Sequence, residues 1–89
     1  MAWLVKFEEK AERQLKKLPV QDQLRINNKL QEIANSDSPR ERGKSLKGNL
    51  GDRWRYRIGE YRIICNIKDK ELIILIVKVG NRKDVYKNK

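Results

Sequence analysis

Hydrophobic positions along the chain change their period, and the changes order the elements. In AWLVKF (residues 2–7), Trp3, Val5 and Phe7 fall on every second position, which reads as a short first strand. The period then lengthens. Phe7, Ala11, Leu15 and Leu18 recur at spacings of four, four and three, a single stripe on a helix. Glu8, Glu9 and Glu12 sit near the start of that helix and Lys16 and Lys17 near its end, an order that suits the helix dipole. Pro19 stops it and can open a second helix from Val20 to Ala34. Val20, Leu24, Leu30, Ile33 and Ala34 form the expected buried side of that helix. Two helices joined at a proline make a helical hairpin.

Residues 35–52, NSDSPRERGKSLKGNLGD, break every period and are rich in Ser, Pro, Gly, Asn and charge. This reads as a long connection, with Leu46 and Leu50 expected to pin it to the core. Strict alternation returns in RWRYRI (53–58), where Trp54, Tyr56 and Ile58 point one way and Arg53, Arg55 and Arg57 the other. Gly59-Glu60 is a tight turn. In YRIICNI (61–67), Tyr61, Ile63, Cys65 and Ile67 share one face, and Arg62, Ile64 and Asn66 the other. ELIILIVKV (71–79) is apolar on both faces, the mark of a central, covered strand, and Gly80 is expected to end it. The expected fold class is therefore α+β in the order β-α-α-β-β-β. A helical hairpin covers one face of a small, mainly antiparallel four-stranded sheet, in a single domain spanning residues 1–89.

Charge changes this picture from a fold to a binding surface. Lys and Arg number 22 against 12 acids, a net charge of +10, which calls for an anionic partner. The excess is uneven: the first 45 residues carry a net +3 and the last 44 a net +7. Arg53, Arg55 and Arg57 lie in register on one strand, with Arg62 on the next and Arg82 after the last. Guanidinium groups grip phosphate with two parallel hydrogen bonds, and aromatics nearby suit a polyanion with stackable bases. A solvated edge strand is the plainer alternative for Arg53, Arg55 and Arg57, and pairing with Asp84 or Glu60 is the plainer alternative for Arg62. Tyr86 is either core packing or an acid, base or stacking platform near the arginines.

Composition also excludes chemistry. There is no His, hence no imidazole base or His metal ligand. Cys65 is the single cysteine and reads as a small buried hydrophobe, so neither an internal disulfide nor a zinc cluster is available. No cofactor and no metal are expected. The longest apolar run, Leu72 to Val77, is too short to span a bilayer, and the N-terminus lacks the apolar stretch of a signal peptide. A cytoplasmic protein with no membrane partner is the expectation.

The segment LKGNLGDRWRYRIGEYRIICNI, followed by VGNRKDVY, resembles the RelE/ParE superfamily of toxins from type II toxin–antitoxin pairs. The resemblance covers the whole chain, and its most specific parts are the LKG-NL run, the YRI of the third strand and the VGNRKDVY ending. It implies a RelE-like microbial ribonuclease fold and an mRNA interferase, a ribosome-dependent endoribonuclease that cuts mRNA in the A site and inhibits translation. The ribose 2′-hydroxyl attacks the neighbouring phosphate, without a metal. Carried onto this sequence, the resemblance makes Arg57, Arg62, Arg82 and Tyr86 the catalytic set, with Lys47, Arg53, Arg55 and Lys83 holding RNA. The implied partners are a cognate antitoxin, the ribosome and mRNA. Nothing in the chain resembles a helix-turn-helix, so direct sequence-specific DNA binding is not assigned to it.

Two departures bear on mechanism. Many relatives carry His where this chain has Asn81, and some carry second-strand lysines where it has Arg55 and Arg57. Arginine stays protonated, so the general base falls to Tyr86, Lys47 or a group of the ribosome or substrate. Two other readings share the fold: a non-enzymatic ParE-type inhibitor of DNA gyrase, and a catalytically inactive antitoxin-binding copy.

Overall fold

The structure is a computed structural model that describes residues 3–45 and 53–81. Strand β1 (Leu4–Phe7) leads into α1 (Glu9–Lys16) and α2 (Val20–Asn35). A 3₁₀ turn (Pro39–Glu41) and a two-residue strand β2 (Lys44–Ser45) follow, then β3 (Arg53–Ile58), β4 (Tyr61–Lys68) and β5 (Ile73–Asn81). The sheet order is β1-β5-β4-β3-β2, with β1 parallel to β5 and every other pair antiparallel. The α+β class and its helical hairpin are as expected. The sheet has five strands rather than four, because β2 forms inside the segment read as a plain connection.

The helices begin and end where local chemistry dictates. Glu9 and Glu12 occupy the first turn of α1 and Arg13 and Lys16 its last, so both ends suit the dipole. Pro19 stands in the cap position of α2, and Gln23 Nε2 reaches back to the Leu18 carbonyl at 2.8 Å, closing the hairpin. At the far end, Ser36 Oγ donates to the Ile33 carbonyl at 2.7 Å. The buried face of α2 is Ile26, Leu30, Ile33 and Ala34. The expectation for Val20 and Leu24 is corrected: they are 69% and 56% exposed. At 100° per residue, Leu24 lies about 200° round the helix from Ile26, and Val20 about 120° from it. The stripe that includes Ile26 is the one able to face the sheet.

Sheet side chains complete the core: Tyr56 and Ile58 from β3, Ile63, Cys65 and Ile67 from β4, and Ile74, Ile76 and Val79 from β5. Burial of each such aliphatic side chain is worth roughly 1.5–3 kcal/mol. The β4–β5 register shifts at Ile64/Cys65, where Ile64 pairs with Lys78 and Cys65 with Ile76. Val77 is the extra residue of this bulge, which lets Ile74, Ile76 and Val79 all face the helices. Gly80 does not end the strand, which continues to Asn81. Strand β1 covers only Ile73 to Ile76, and beyond it Gln14 Oε1 accepts from the Val79 N–H at 2.8 Å. Helix α1 thereby satisfies part of the edge that β1 leaves open.

Among the described residues, no helix is long and apolar enough to cross a membrane. The expected pins Leu46 and Leu50 lie outside the described residues.

Candidate nucleic-acid interface

Because Trp54, Tyr56 and Ile58 turn toward the helices, Arg55 and Arg57 project from the opposite face of β3. Antiparallel register places Arg62 of β4 directly opposite Arg57, and Gly80 of β5 opposite Arg62. Strand β2 brings Lys44 opposite Arg55. Gly43, Lys44, Arg55, Arg57 and Arg62 line a cleft of about 240 Å³. Among the described residues, no acidic side chain lines it, and Lys44, Arg55 and Arg57 make no ion pair. Arg62 is only 9% exposed, the one charged residue in the buried set. Like charges directly across a sheet cost stability. The Arg57–Arg62 register concentrates positive charge on this face of the sheet.

Lys44 is the member that sequence reasoning missed, and a strap from Ser36 to Ser45 positions it. Pro39 is buried, and its carbonyl accepts from the Tyr56 hydroxyl. Burial drives the Tyr56 pKa well above the usual tyrosine range, so this hydroxyl stays a donor. Trp54 Nε1 donates to the Arg42 carbonyl at 2.6 Å. Arg40 grips Asp69 with two bonds of 2.8 and 2.9 Å and lies 6.0 Å from the Trp54 ring centre. Gly43 takes φ +79°, and a Cβ there would sit 2.2 Å from the Arg55 carbonyl oxygen. Only glycine lets the strap approach β3 this closely. The signal was present in the sequence as Gly43-Lys44 amid a charged loop, but nothing local revealed that it pairs with β3.

The remaining expected residues divide. Arg53 does not line the cleft; its Nε donates to Asn66 Oδ1 at 3.1 Å, along the same face of the sheet. Lys47, Arg82, Lys83 and Tyr86 lie outside the described residues, as does Asp84. Strand β5 delivers the chain to Asn81, which pairs with Tyr61 beside Arg62. Cys65 is fully buried, and burial pushes its thiol up to about 12. It packs in the core as expected.

A family profile described as the ParE toxin of the type II toxin–antitoxin system parDE matches residues 5–86. Toxin RelG of Mycobacterium tuberculosis is 34% identical over 90 residues, covering 98% of this chain and 99% of the relative. The chain belongs to the RelE/ParE family of type II toxin–antitoxin toxins. Solved structures agree with the architecture of this toxin. The RelBE2 toxin–antitoxin complex of M. tuberculosis matches with a TM-score of 0.75 at 29% identity, over 92% of this chain and 93% of the other. A free mutant of E. coli RelE matches with a TM-score of 0.78 at 25% identity, over 98% and 93%. An archaeal RelE–RelB complex from Pyrococcus horikoshii matches at 0.72 and 28%, over 92% and 97%.

Proposed function

We propose that this toxin is a ribosome-dependent mRNA endonuclease acting in the A site. The observation that carries the reading is the cleft in which Lys44, Arg55, Arg57 and Arg62 converge with no acid among the described residues that line it. Four cations on a rigid sheet suit a phosphodiester better than any neutral substrate. The 2′-oxygen attacks the adjacent phosphorus, the bond from phosphorus to the 5′-oxygen breaks, and a 2′,3′-cyclic phosphate remains. Nucleophile and phosphate are already in one molecule, so alignment and charge stabilisation dominate the task. Arg62, buried and held by β4, is suited to the oxygens that gain charge in the transition state, with Arg57 opposite it; Arg82 is assigned the same task from the sequence. Arg55, Lys44 and Arg53 hold flanking phosphates, with Lys47 and Lys83 as further contacts. The proton leaves the 2′-hydroxyl and one is returned to the 5′-oxygen. Lys44, Tyr86, Lys47 and a ribosomal or substrate group are the available carriers, since every other described cation in the cleft is an arginine. Neither metal nor cofactor is part of this step.

A cognate antitoxin is the second partner. Relatives solved as toxin–antitoxin complexes from M. tuberculosis and P. horikoshii support this, as does the surplus of positive charge. An acidic segment that folds on binding is the form that fits.

The ParE profile match favours one second reading, a ParE-type inhibitor of DNA gyrase. Induced expression separates the two. Growth arrest with cleaved mRNA and intact chromosomal DNA supports the nuclease, and Arg62→Ala or Arg82→Ala then abolishes arrest while the chain stays folded. Broken chromosomes with intact mRNA support the gyrase reading. Toxicity that survives both substitutions refutes the assigned site.

A further inference from the structure

Among the described residues, strand β2 covers only Trp54 and Arg55, which leaves the edge of β3 without a strand neighbour toward Ile58. A second open cleft, of about 430 Å³, lies between that part of β3 and helix α2. Arg25, Asn28, Lys29 and Glu32 line it from the helix, at spacings that place them on one stripe, and Arg57, Ile58 and Gly59 line it from the sheet. Arg57 lines both this cleft and the arginine cleft, so the two basic surfaces meet across one side chain.

The Arg25 side chain lies over the β3–β4 turn. Gly59 takes φ +59° in the β3–β4 turn, and its bare Cα lets the Arg25 side chain lie across it. A Cβ at that position would be 3.1 Å from Arg25 Nη1 and 3.7 Å from its Cδ. Arg25 is exposed and makes no ion pair among the described residues. The acids nearby are partly engaged. Glu32 is shared between Lys29 at 3.6 Å and Arg42 at 3.4 Å, and Asp22 accepts the Tyr61 hydroxyl at 2.7 Å. Glu60, in the turn itself, is the one acid there without a partner among the described residues.

We propose that the α2 cleft is a second RNA-backbone site, in which Arg25, Asn28 and Lys29 bind phosphates of a strand that crosses Arg57 from the arginine cleft. This rests on the RNA reading of the first cleft. The phosphates belong either to the same message, beyond the cut codon, or to ribosomal RNA beside it. Neither Arg25 nor Lys29 touches the reacting atoms, so the site extends binding without adding chemistry.

The test uses 2′-O-methyl oligonucleotides, which lack the attacking hydroxyl, of about four and about twelve nucleotides. Binding of both, and of ribosomes, is compared for the wild type, R25Q/K29Q, and the control K10Q/K17Q, which removes the same charge from exposed lysines of the hairpin. Two lost contacts at about 0.7 each lower the salt slope by about 1.4, so the wild-type advantage for the long strand shrinks about sevenfold between about 50 and 200 mM salt. Weaker binding of the twelve-mer by R25Q/K29Q, with the four-mer unchanged, places the message in the cleft. A loss confined to ribosomes places ribosomal RNA there. Wild-type binding by R25Q/K29Q in every arm overturns the proposal, as does an equal loss in K10Q/K17Q or an equal loss for both oligonucleotides. The nuclease reading is scored separately, by cleavage of unmodified mRNA by the wild type. Absent cleavage with a retained twelve-mer effect sinks that reading and leaves the second site standing.

Discussion

Gly43→Ala tests whether the strap truly builds the cleft. The glycine sits at φ +79°, where an L-residue costs about 1–2 kcal/mol. The added Cβ would also lie 2.2 Å from the Arg55 carbonyl oxygen, 2.7 Å from Trp54 Nε1 and 2.9 Å from Tyr56 Cδ1. A backbone oxygen on a paired strand cannot yield by that much, so the strap must lift. Lifting separates Lys44 from Arg55 and breaks the Trp54–Arg42 hydrogen bond, worth about 1 kcal/mol net. The sum is a loss of about 2–3 kcal/mol, mostly local, because the helix–sheet core does not depend on residue 43. Urea unfolding measures the stability loss, and amide exchange at Lys44 and Arg55 reports the local opening. Affinity for RNA falls in parallel as Lys44 leaves the cleft. A Gly43→Ala protein within about 0.5 kcal/mol of wild type, with protected amides, would refute the strap's role.

Three further outcomes follow from the packing. Ile26→Ala should cost about 2–5 kcal/mol in urea unfolding, while Leu24→Ala should cost less than about 0.5; equal effects would contradict the rotation of α2. Cys65 should resist a maleimide in the native state at neutral pH and react on unfolding, since its thiol is buried and pushed up to about 12; rapid native labelling would show that β4 opens. The Arg40 guanidinium holds the Asp69 carboxyl below its ordinary value. Its contribution is therefore present above the unfolded pKa of about 3.9 and is lost as pH falls through the lower folded value. The pair is largely exposed, so Asp69→Asn should cost at most about 1 kcal/mol at neutral pH and nothing at low pH, read from urea midpoints across pH.

The sheet's two faces were legible because RWRYRI and YRIICNI alternate without a break, and alternation assigns each residue to a side of the sheet. The stripe of α1 was legible from its helical spacing, with Ala11 and Leu15 both buried. Helix α2 was harder. Its apolar residues fall at 20, 24, 26, 30, 33 and 34, which supports two overlapping stripes, and only the sheet decides between them. The β5 bulge was hidden because a run of apolar residues carries no phase. Arg55, Arg57 and Arg62 were found from charge in register, and the structure brings all three to one cleft. Lys44 was not, because its place depends on a turn at Gly43 and on hydrogen bonds from Trp54 and Tyr56, none of which has a local signature.

The most direct measurement is cleavage of a defined mRNA on purified, programmed ribosomes, with 3′-ends mapped and ribosome-free RNA alongside. The account predicts cuts within the A-site codon that leave a 2′,3′-cyclic phosphate, lost on Arg62→Ala. Intact mRNA with folded toxin on programmed ribosomes would contradict it.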